Sequence, residues 1–284
     1  ERAHNLASAL RLIRQIPNTT LTNTASLLQT KPKYLTQQPT FLNSAAEIHS
    51  SLPPLDLLRA LKNIEATLGR RKHAQRWGPR EIDLDLVLYG DVVMRSDAAA
   101  DELPELELPH PRLAERDFVL PPLAGSAPDV RPSVLGLTIA ELCERLGGPQ
   151  LQRVTPLAGE RLVEWGRRTL LMGVLNVTPD SFSDGGEHNA TLDAAVAHAL
   201  SLESSGADII DIGGQSTRPG AALISAEEEL SRVAPVVERL RAAGVSTPIS
   251  ADTFRADVAE TLLRSGVDLV NDVSGGRLDE RMFA

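Results

Sequence analysis

Cysteine is nearly absent from this sequence of 284 residues, which contains only Cys143. A single cysteine forms no intrachain disulfide, and this usage favours a reducing compartment. Long hydrophobic runs are absent too, since no segment approaches the ~20 apolar residues of a membrane span. The chain also lacks a basic excess, and its net charge of −9 argues against a general nucleic-acid-binding protein.

An initiator methionine is missing as well. The sequence opens on Glu1 inside a helical pattern and closes on Ala284, where a further βα unit is expected. We therefore expect an internal piece of a longer protein, from which no targeting segment can be read. An intracellular location, cytoplasmic or mitochondrial, is expected from the cysteine usage. The length is sufficient for two domains of ordinary size.

The first half of the chain contains several strands and few long helices. Its pattern predicts helices at about 1–16 and 54–69 and strands at 21–30, 41–49, 82–90 and 91–95. Strands that follow one another without long intervening helices indicate an α+β layer rather than a barrel.

The predicted strand 82–90 has the most informative pattern. Its apolar and polar residues alternate, so Asp83 and Asp85 project from the same face. Neighbouring carboxylates repel each other unless a cation lies between them, and Mg²⁺ carrying nucleotide phosphates is the usual one. The preceding stretch adds basic residues and no acid: Arg70, Arg71, Lys72, Arg76 and Arg80. A solvent-facing acidic pair beside a solvated basic loop is the plainer alternative, but their adjacency favours a site for metal-bound polyphosphate.

The second half has a different pattern, in which predicted strands and helices alternate. Short apolar strands are predicted at 170–175, 209–212, 248–250 and 269–270, alternating with amphipathic helices near 191–205, 225–243 and 254–265. The glycines that follow these helices, Gly206, Gly244 and Gly266, are typical C-caps, and Ser225-Ala-Glu-Glu228 matches a capping box. Four successive βα units predict a parallel sheet and the first half of a (βα)8 TIM barrel.

Polar residues lie in or just after each predicted strand of this second half: Asn176, Asp211, Asp252 and Asn271. Functional groups of barrels cluster where strands end and the following loops begin. Capping of the next helix is the alternative role for Asp252. Asp or Asn in four successive strands favours a polar ligand at the mouth of the barrel.

The string Arg76-Trp-Gly-Pro-Arg-Glu-Ile-Asp-Leu-Asp85 resembles the signature of hydroxymethyl-dihydropterin pyrophosphokinase, a folate-pathway family. The resemblance runs from Glu1 to about Leu146 and includes Phe41-Leu-Asn43 and the segment from Leu108 to Phe118. It implies a ferredoxin-like α+β fold and the transfer of a diphosphate from ATP to a pterin alcohol.

The resemblance also implies roles for individual residues. Asp83 and Asp85 would be Mg²⁺ ligands at the site of transfer, and Arg70, Arg80 and Arg116 would hold phosphate oxygens through bidentate contacts.

Three further residues are implied to contact the nucleotide. His110 would touch its phosphates, and Trp77 would anchor the loop that closes over ATP. Lys72 stands where many relatives have Arg, so a point charge replaces a planar fork there.

The pterin ring is implied to lie between Phe41 and Phe118, with Asn43 hydrogen-bonded to its edge. Aromatic residues make up only 3% of the chain, so two at these positions are informative. Packing in the core is the alternative role for both rings.

Two motifs of the second half, Met172–Gly186 and Asp211–Gly220, resemble those of dihydropteroate synthase, a family that joins the pterin diphosphate to p-aminobenzoate and releases pyrophosphate. This resemblance runs from about Thr169 to the end of the chain. It implies that Asn176 binds the Mg²⁺ on the substrate's diphosphate and that Asp252 and Asn271 bind the pterin ring.

Two loops of the synthase family are implied to close over the substrates. Thr217 would lie in the second loop, near the diphosphate and the aminobenzoate, whereas Ser181 and Phe182 would belong to the first. Closed loops exclude water from the electrophilic methylene that forms when pyrophosphate leaves.

Together the resemblances imply a bifunctional folate-biosynthesis enzyme of fungal or plant type. A pyrophosphokinase domain lacking its first strand would occupy residues 1–150, followed by a linker at 151–168 and the first half of a synthase barrel at 169–284. The implied partners are ATP with Mg²⁺, hydroxymethyl-dihydropterin and p-aminobenzoate, without nucleic acid or membrane. A homodimer through the barrel is one option.

Because half a barrel exposes unpaired strand edges, we expect this chain alone to be poorly soluble or partly unfolded, and inactive as a synthase. Two alternatives stay open. One is a non-catalytic pterin-binding remnant, and the other is a pterin-dependent methyltransferase, whose barrel uses a similar Asp and Asn pair.

Overall fold

The computed structural model describes residues 2–32, 37, 39–70, 80–96, 105–147, 151–157, 161–177, 188–216 and 222–283, with residues 188–191 described by their backbone alone. The chain divides into two compact units: Glu1–Pro156 with Leu162–Gly166, and Leu157–Arg161 with Arg167–Ala284. Within the described ranges, no helix combines the length and the apolar character that crossing a membrane requires.

The first unit combines antiparallel strands with helices. Its elements in chain order are α1 (Arg2–Ile13), β1 (Thr19–Thr24), β2 (Leu28–Thr30), β3 (Phe41–Asn43), β4 (Ala46–Ser50), α2 (Pro54–Thr67), β5 (Met94–Ser96), β6 (Leu106–Leu108), α3 (Leu120–Ser126), α4 (Ile139–Arg145), β7 (Gln152–Pro156) and β8 (Leu162–Trp165). A four-stranded sheet has the order β3-β2-β7-β8, while β1 pairs with β4 and β5 pairs with β6. The unit is therefore of α+β type.

Helix α2 organises the core of this unit. It begins at Pro54, whose fixed φ suits the first turn, where a backbone N–H is not needed. Its buried residues Leu57, Leu61 and Ile64 belong to the same apolar cluster as Ile13 of α1. The spacing of three and four residues places them on one face of the helix.

The predicted strands 21–30 and 41–49 are each divided into two shorter strands. β1 pairs with β4, whereas β2 pairs with β3 on one side and β7 on the other. At the break the Ala25 N–H donates to the Ala45 carbonyl at 2.8 Å. An alternating pattern reports which face a residue occupies but not where a strand changes its partner.

Residues 82–90 are not a ladder-forming strand, contrary to the prediction, because no strand is assigned to them in the described part of the chain. Their alternation is nevertheless present: Ile82 and Leu86 are buried, whereas Asp83 and Asp85 are exposed. Side chains from helix α2 bind the backbone here in place of a neighbouring strand, as the contacts below show.

The segment 151–168, expected to be a linker, contains the antiparallel pair β7–β8. Arg153 lies opposite Trp165 in this pair, and Val154 and Val163 are buried. Each strand has only four or five residues, and such short runs show too little alternation to stand out in a sequence.

The second unit is built from alternating strands and helices. Its elements are β9 (Met172–Asn176), α5 (His188–Ser204), β10 (Ile209–Gly213), α6 (Ala226–Ala242), β11 (Ile249–Asp252), α7 (Ala256–Arg264) and β12 (Leu269–Asn271), and Glu280–Phe283 form a 3-10 turn. The four strands are parallel and have the order β12-β11-β10-β9. The predicted βα rhythm is confirmed.

Strand β10 lies at the centre of the second core. Its five residues are all buried, and Ile210 and Ile212 pack in one apolar cluster with Val237 and Leu240 of α6 and Ile249 of β11. A parallel strand with both faces covered is expected to be almost wholly apolar. Asp211 in its middle is the exception, and it lies at the site described below.

The same motif, Ser-Gly-x-Asp, follows both α5 and α7 and leads into the next strand. Gly206 and Gly266 have φ of +96° and +110°, the left-handed conformation that ends a helix, so the predicted C-caps are confirmed. The aspartates of the two motifs, Asp208 and Asp268, bind the neighbouring strands. Asp208 accepts the Leu171 N–H at 2.9 Å, immediately before β9.

Asp268 makes the more buried of these connections, since 1% of its side chain is exposed. It accepts from Arg161 at 2.7 Å, from Arg241 at 2.5 Å and from the Ile249 N–H at 3.0 Å. A buried carboxylate needs such complete pairing, because removal from water strongly disfavours its charge. The amino-terminal edge of the sheet is therefore fixed by charge-assisted bonds.

Helix α6 begins as its sequence predicts. The Ser225 side chain accepts the Glu228 N–H at 3.1 Å, which is the first half of a capping box. Three acidic residues in the first turn and two basic residues in the last turn complement the helix dipole.

Candidate active sites

Asp83 in the first unit is bound by two arginines. Arg70 Nη1 donates to Asp83 Oδ1 at 2.7 Å, and Arg80 Nη1 donates to Oδ2 at 3.0 Å. The aspartate side chain is 46% exposed, so the ion pairs lie at a surface that a ligand can reach. Three of the predicted site residues are thus brought together.

Asp85, two residues further on, is bound by Arg116, whose Nη1 donates to Oδ2 at 2.8 Å. Partial desolvation raises the pKa of Asp85, but the Arg116 bond and the positive charges of Lys62 and Arg116 outweigh it. The pKa therefore lies below its usual value. The carboxylate is ionised at neutral pH, as a metal ligand must be.

His110 is fixed in one tautomer by its backbone surroundings. Its backbone N–H donates to the Val87 carbonyl at 2.9 Å, and its ring Nδ1 accepts the backbone N–H of Arg112 at 3.1 Å. Burial and the charge of Arg116 lower the pKa of the ring. A neutral ring that accepts at Nδ1 carries its proton on Nε2, which can then donate to a phosphate oxygen.

Two residues of α2 that the sequence reasoning missed support the carboxylate pair. Glu65 is buried and accepts the Leu84 N–H at 2.6 Å, and Lys62 donates to the Leu84 carbonyl at 3.0 Å. Glu65 also forms ion pairs with Lys62 and Arg70. The available signal was an acidic residue within the apolar stripe of an amphipathic helix, where an unpaired charge is unfavourable.

The residues expected to bind the pterin, Phe41, Asn43 and Phe118, are placed by strand β3 and by contacts with Thr30 and Arg116. Phe41 and Asn43 are two residues apart on β3 and therefore face the same side. Asn43 Nδ2 donates to Thr30 Oγ1 at 2.7 Å on the neighbouring strand. The Arg116 guanidinium carbon lies 5.6 Å from the centre of the Phe118 ring, a cation–π distance.

Lys72 and Trp77, expected at the nucleotide, lie outside the described residues. Within the described ranges, no group of three or more His, Cys, Asp or Glu side chains could hold a metal ion. Asp83 and Asp85 are two oxygen donors, and substrate phosphates and water commonly complete the coordination of Mg²⁺ at such sites. Their charge and exposure fit that ion.

In the second unit, residues from all four strands form one row across the sheet. Gly213 is in register with Asn176 on one side and Asp252 on the other, and Asp252 is in register with Asn271. The row lies at the carboxyl ends of the parallel strands, as predicted. The glycine leaves room for the neighbouring carboxylate, because a Cβ on Gly213 would meet Asp252 Oδ2 at 3.3 Å, a tight contact.

Asp211, expected as the fourth polar member of this row, lies two residues before Gly213 and has a role that the sequence analysis did not assign. Its Oδ2 accepts from Asn271 Nδ2 at 3.0 Å. Oδ1 of Asp211 and Oδ1 of Asp252 are both buried and have no hydrogen-bond partner among the described residues. Two such buried acceptors on neighbouring strands match a ligand that presents N–H donors.

The acidic surroundings change the titration of Asp252. Burial raises its pKa to about 6, and the negative charges of Asp211, Glu229 and Asp272 contribute in the same direction. Perturbed carboxylates of this kind are common at functional sites. Nearby, the buried Glu229 is paired with Arg255, which also donates to the Ile224 carbonyl at 2.6 Å.

Gln215 joins the two stems of the loop that follows β10. Its Nε2 donates to the carbonyls of Ser216 at 2.8 Å and Ala222 at 3.1 Å, and its Oε1 accepts the Ile224 N–H at 2.9 Å. Thr217 within that loop lies outside the described residues. The same holds for Ser181 and Phe182 of the preceding loop.

Two family profiles match the chain. The profile for 7,8-dihydro-6-hydroxymethylpterin-pyrophosphokinase matches residues 1–128, and the profile for pterin binding enzymes matches residues 172–284. The two ranges contain the two sites: the carboxylate pair lies in the first, and the row of polar residues lies in the second.

Relatives with both segments are found in plants and fungi. The chain is 46% identical to the mitochondrial folate synthesis bifunctional protein of Pisum sativum, over 100% of this chain and 56% of that protein. It is 38% identical to the folic acid synthesis protein fol1 of Schizosaccharomyces pombe, over 100% of this chain and 37% of that protein. The chain spans about half the length of the plant relatives it matches.

A solved structure shares the fold. Plasmodium falciparum HPPK-DHPS with pteroate matches with a TM-score of 0.72 and 16% identity, over 99% of this chain and 67% of that chain. The chain therefore carries a pyrophosphokinase domain followed by a pterin-binding enzyme domain, and it is a homologue of the bifunctional folate-synthesis proteins.

Proposed function

We propose that the first unit transfers a diphosphate from ATP to 6-hydroxymethyl-dihydropterin. The observation that carries this proposal is the pair Asp83 and Asp85 with three guanidinium groups bound to it. Such a cluster contains ligands for a divalent cation and, beside them, donors for the phosphates that the cation carries. A solvated surface pair would not need three arginines.

Asp83 and Asp85 would hold Mg²⁺ at this site. When bound, the ion neutralises the transferring phosphates and orients them for in-line attack. Arg70, Arg80 and Arg116 then donate to phosphate oxygens in place of the carboxylates. His110, with its proton on Nε2, adds a neutral donor for the nucleotide, and Lys72 and Trp77 are proposed to contact it as well.

The pterin alcohol is proposed to lie between Phe41 and Phe118. Stacking on aromatic faces holds a flat heterocycle, and an amide recognises its edge through one donor and one acceptor. Asn43 uses one N–H for Thr30, and its amide also offers a second N–H and a carbonyl oxygen. Binding between two faces orients the hydroxymethyl group toward the phosphates.

We propose that the second unit binds the resulting pterin diphosphate for condensation with p-aminobenzoate, which gives dihydropteroate and pyrophosphate. The buried oxygens of Asp211 and Asp252 support this proposal, because the aminopyrimidinone edge of a pterin presents adjacent N–H groups. Asn271 adds a carbonyl acceptor and a second N–H donor beside them.

The diphosphate end of this ligand is assigned to other residues. Asn176 ends β9 in register with Gly213, on the far side of the row from Asn271, and would hold a Mg²⁺ bound by the diphosphate. An amide oxygen is a suitable ligand for that hard cation. Thr217, Ser181 and Phe182 are proposed to cover the diphosphate and the aminobenzoate.

The finer architecture is part of the same proposal. Residues 1–150 would form a ferredoxin-like pyrophosphokinase domain, and residues 169–284 would form the first half of a (βα)8 barrel. The four parallel strands with their helices support the second statement, because this succession is half of such a barrel.

Calorimetry with two ligands tests the second assignment. Asp252→Ala should abolish measurable binding of both the free pterin and its diphosphate, because the ring contact is lost. Asn176→Ala should leave the free pterin unchanged and weaken only the diphosphate in the presence of Mg²⁺. Equal weakening of the free pterin by both variants would show that the ring and diphosphate roles are wrongly divided.

A further inference from the structure

The backbone of Leu84 is bound by a pair of side chains one turn apart on α2. Glu65 accepts its N–H at 2.6 Å, and Lys62 donates to its carbonyl at 3.0 Å. The same two side chains bind each other at 2.9 Å. Both peptide groups of one residue are therefore satisfied as a neighbouring strand would satisfy them.

Leu84 lies between the two proposed metal ligands. In an extended segment the separation of Asp83 and Asp85 depends on the backbone dihedral angles of the residue between them. Fixing both peptide groups of Leu84 holds those angles, so that the two carboxylates remain on one side. A ladder would normally do this, and within the described ranges residues 82–88 belong to none.

Glu65 is a buried carboxylate whose hydrogen-bonding groups are paired. Only 3% of its side chain is exposed, and it is bound by Lys62, by Arg70 and by the Leu84 N–H. Burying a carboxylate is unfavourable unless it is fully paired, so an apolar residue would fit this face of α2 more easily. Glu65 also contacts the carboxylate pair by a second route, because Arg70 binds both Glu65 and Asp83.

We propose that Glu65 and Lys62 are positioning residues that hold Asp83 and Asp85 at the spacing a divalent cation requires. They act through the backbone of Leu84 and do not touch the metal or the substrate. The inference rests on the proposed pyrophosphokinase function and adds to it the means by which the ligands are preorganised.

The direct test needs neither metal nor substrate. Amide hydrogen exchange of Leu84 should be slow in the unchanged chain and at least tenfold faster in Glu65→Ala. Glu65→Gln keeps an acceptor and should retain most of the protection. Asp56→Asn is the matched control, since it breaks an exposed ion pair with Arg59 on the same helix. Unprotected Leu84 in the unchanged chain would overturn the inference.

Metal binding provides the second readout. Mn²⁺ with a non-hydrolysable ATP analogue, followed by electron paramagnetic resonance, should bind at least tenfold more weakly to Glu65→Ala than to the unchanged chain. Lys62→Met, which keeps the buried carboxylate contact and part of the stem, should show a smaller loss. The control Asp56→Asn should bind the manganese nucleotide as tightly as the unchanged chain. All measurements are made well below the unfolding temperature of each variant.

The outcomes separate this inference from the function on which it rests. If the protein that contains this chain does not bind the manganese nucleotide, the proposed function is wrong, and the exchange of Leu84 still tests the contact. If it binds and Glu65→Ala binds equally tightly while folded, the positioning role is wrong and the proposed function stands. Weaker binding by Glu65→Ala with recovery in Glu65→Gln is the result we expect.

Discussion

Asn271 on β12 donates a side-chain N–H to Asp211 on β10 at 3.0 Å, across the strand that separates them. A carboxylate only accepts, so the amide nitrogen of Asn271 must face it, and the orientation of the whole amide follows. Its carbonyl oxygen is thereby directed away from Asp211. One buried acid thus determines which groups the neighbouring amide can offer to a ligand.

Removing this acid should weaken the binding of a free pterin. We expect Asp211→Ala to cost about 1–3 kcal/mol of binding free energy, because Asn271 loses the partner that orients it and the ring loses the acceptor Oδ1. Asp211→Asn keeps one acceptor, which can orient Asn271 while Oδ1 is lost to the ligand, so it should recover part of the affinity, as measured by calorimetry. A loss in Asp211→Asn equal to that in Asp211→Ala would show that the orientation of Asn271 contributes nothing.

Pterin affinity should fall in mild acid. The pKa of Asp252 lies at about 6, above its usual value, and only the ionised carboxylate accepts two N–H donors. Protonation therefore competes with the ligand, and the dissociation constant should rise roughly tenfold for each pH unit below the pKa. Asp252→Asn should bind weakly at every pH and show no such slope. A flat profile in the unchanged chain would contradict the ring contact.

The same carboxylate should reduce the stability of the unliganded fold at neutral pH. Its folded pKa is raised, so its stabilising contribution is present below the unfolded value and is lost as the pH rises through about 6. Asp252→Asn should therefore unfold at a higher temperature than the unchanged chain at pH 8, with a smaller difference at pH 4. The reverse order in calorimetric scans would show that Asp252 is not destabilised by its neighbours.

Asp85→Asn should lower the rate of diphosphate transfer by orders of magnitude while the fold persists. Loss of a metal ligand removes stabilisation that is specific to the transition state. Coupled assays of AMP formation in the protein that contains this chain measure the effect, with Asp56→Asn as the control for charge removal. Turnover within twofold of the unchanged protein would exclude the metal role.

The amino-terminal edge of the second sheet should be sensitive to a single change. Asp268→Ala leaves Arg161 and Arg241 without their shared carboxylate, and breaking a buried ion pair costs about 3–5 kcal/mol of unfolding free energy. Asp257→Ala breaks an exposed pair with Arg281 and serves as the control. Denaturant titrations that gave equal changes for the two variants would contradict the proposed importance of burial.

Rules that depend on short stretches of sequence were sufficient to predict most of the secondary structure of the second unit. The apolar strands, the glycines that end the helices and the cap at Ser225 follow from residue spacing and from backbone conformations that few residues adopt. The row at the strand ends was predictable because parallel strands terminate at one edge. The bond from Asn271 to Asp211 was not, since it depends on which strands become neighbours and on side-chain direction.

The first unit shows where sequence patterns reach their limit. Alternation correctly placed Asp83 and Asp85 on the exposed face, but it predicted a ladder where side chains of α2 bind the backbone. An acidic residue such as Glu65 in the apolar stripe of a helix indicates that the carboxylate has a buried partner, but the sequence does not show which residue that partner is. The β7–β8 pair escaped notice because its strands are short and its partner β2 is distant in the chain.

The amino-terminal and carboxyl-terminal edges of the parallel sheet, where the strands begin and end, differ in how substitutions act on the protein. At one edge Asp208 and Asp268 fix the start of the strands, so changes there act on folding first. At the other edge, the buried oxygens of Asp211 and Asp252 that lack a partner oppose folding and remain available to a ligand. New ligand preferences can therefore arise at the carboxyl edge while the register of the strands is inherited unchanged.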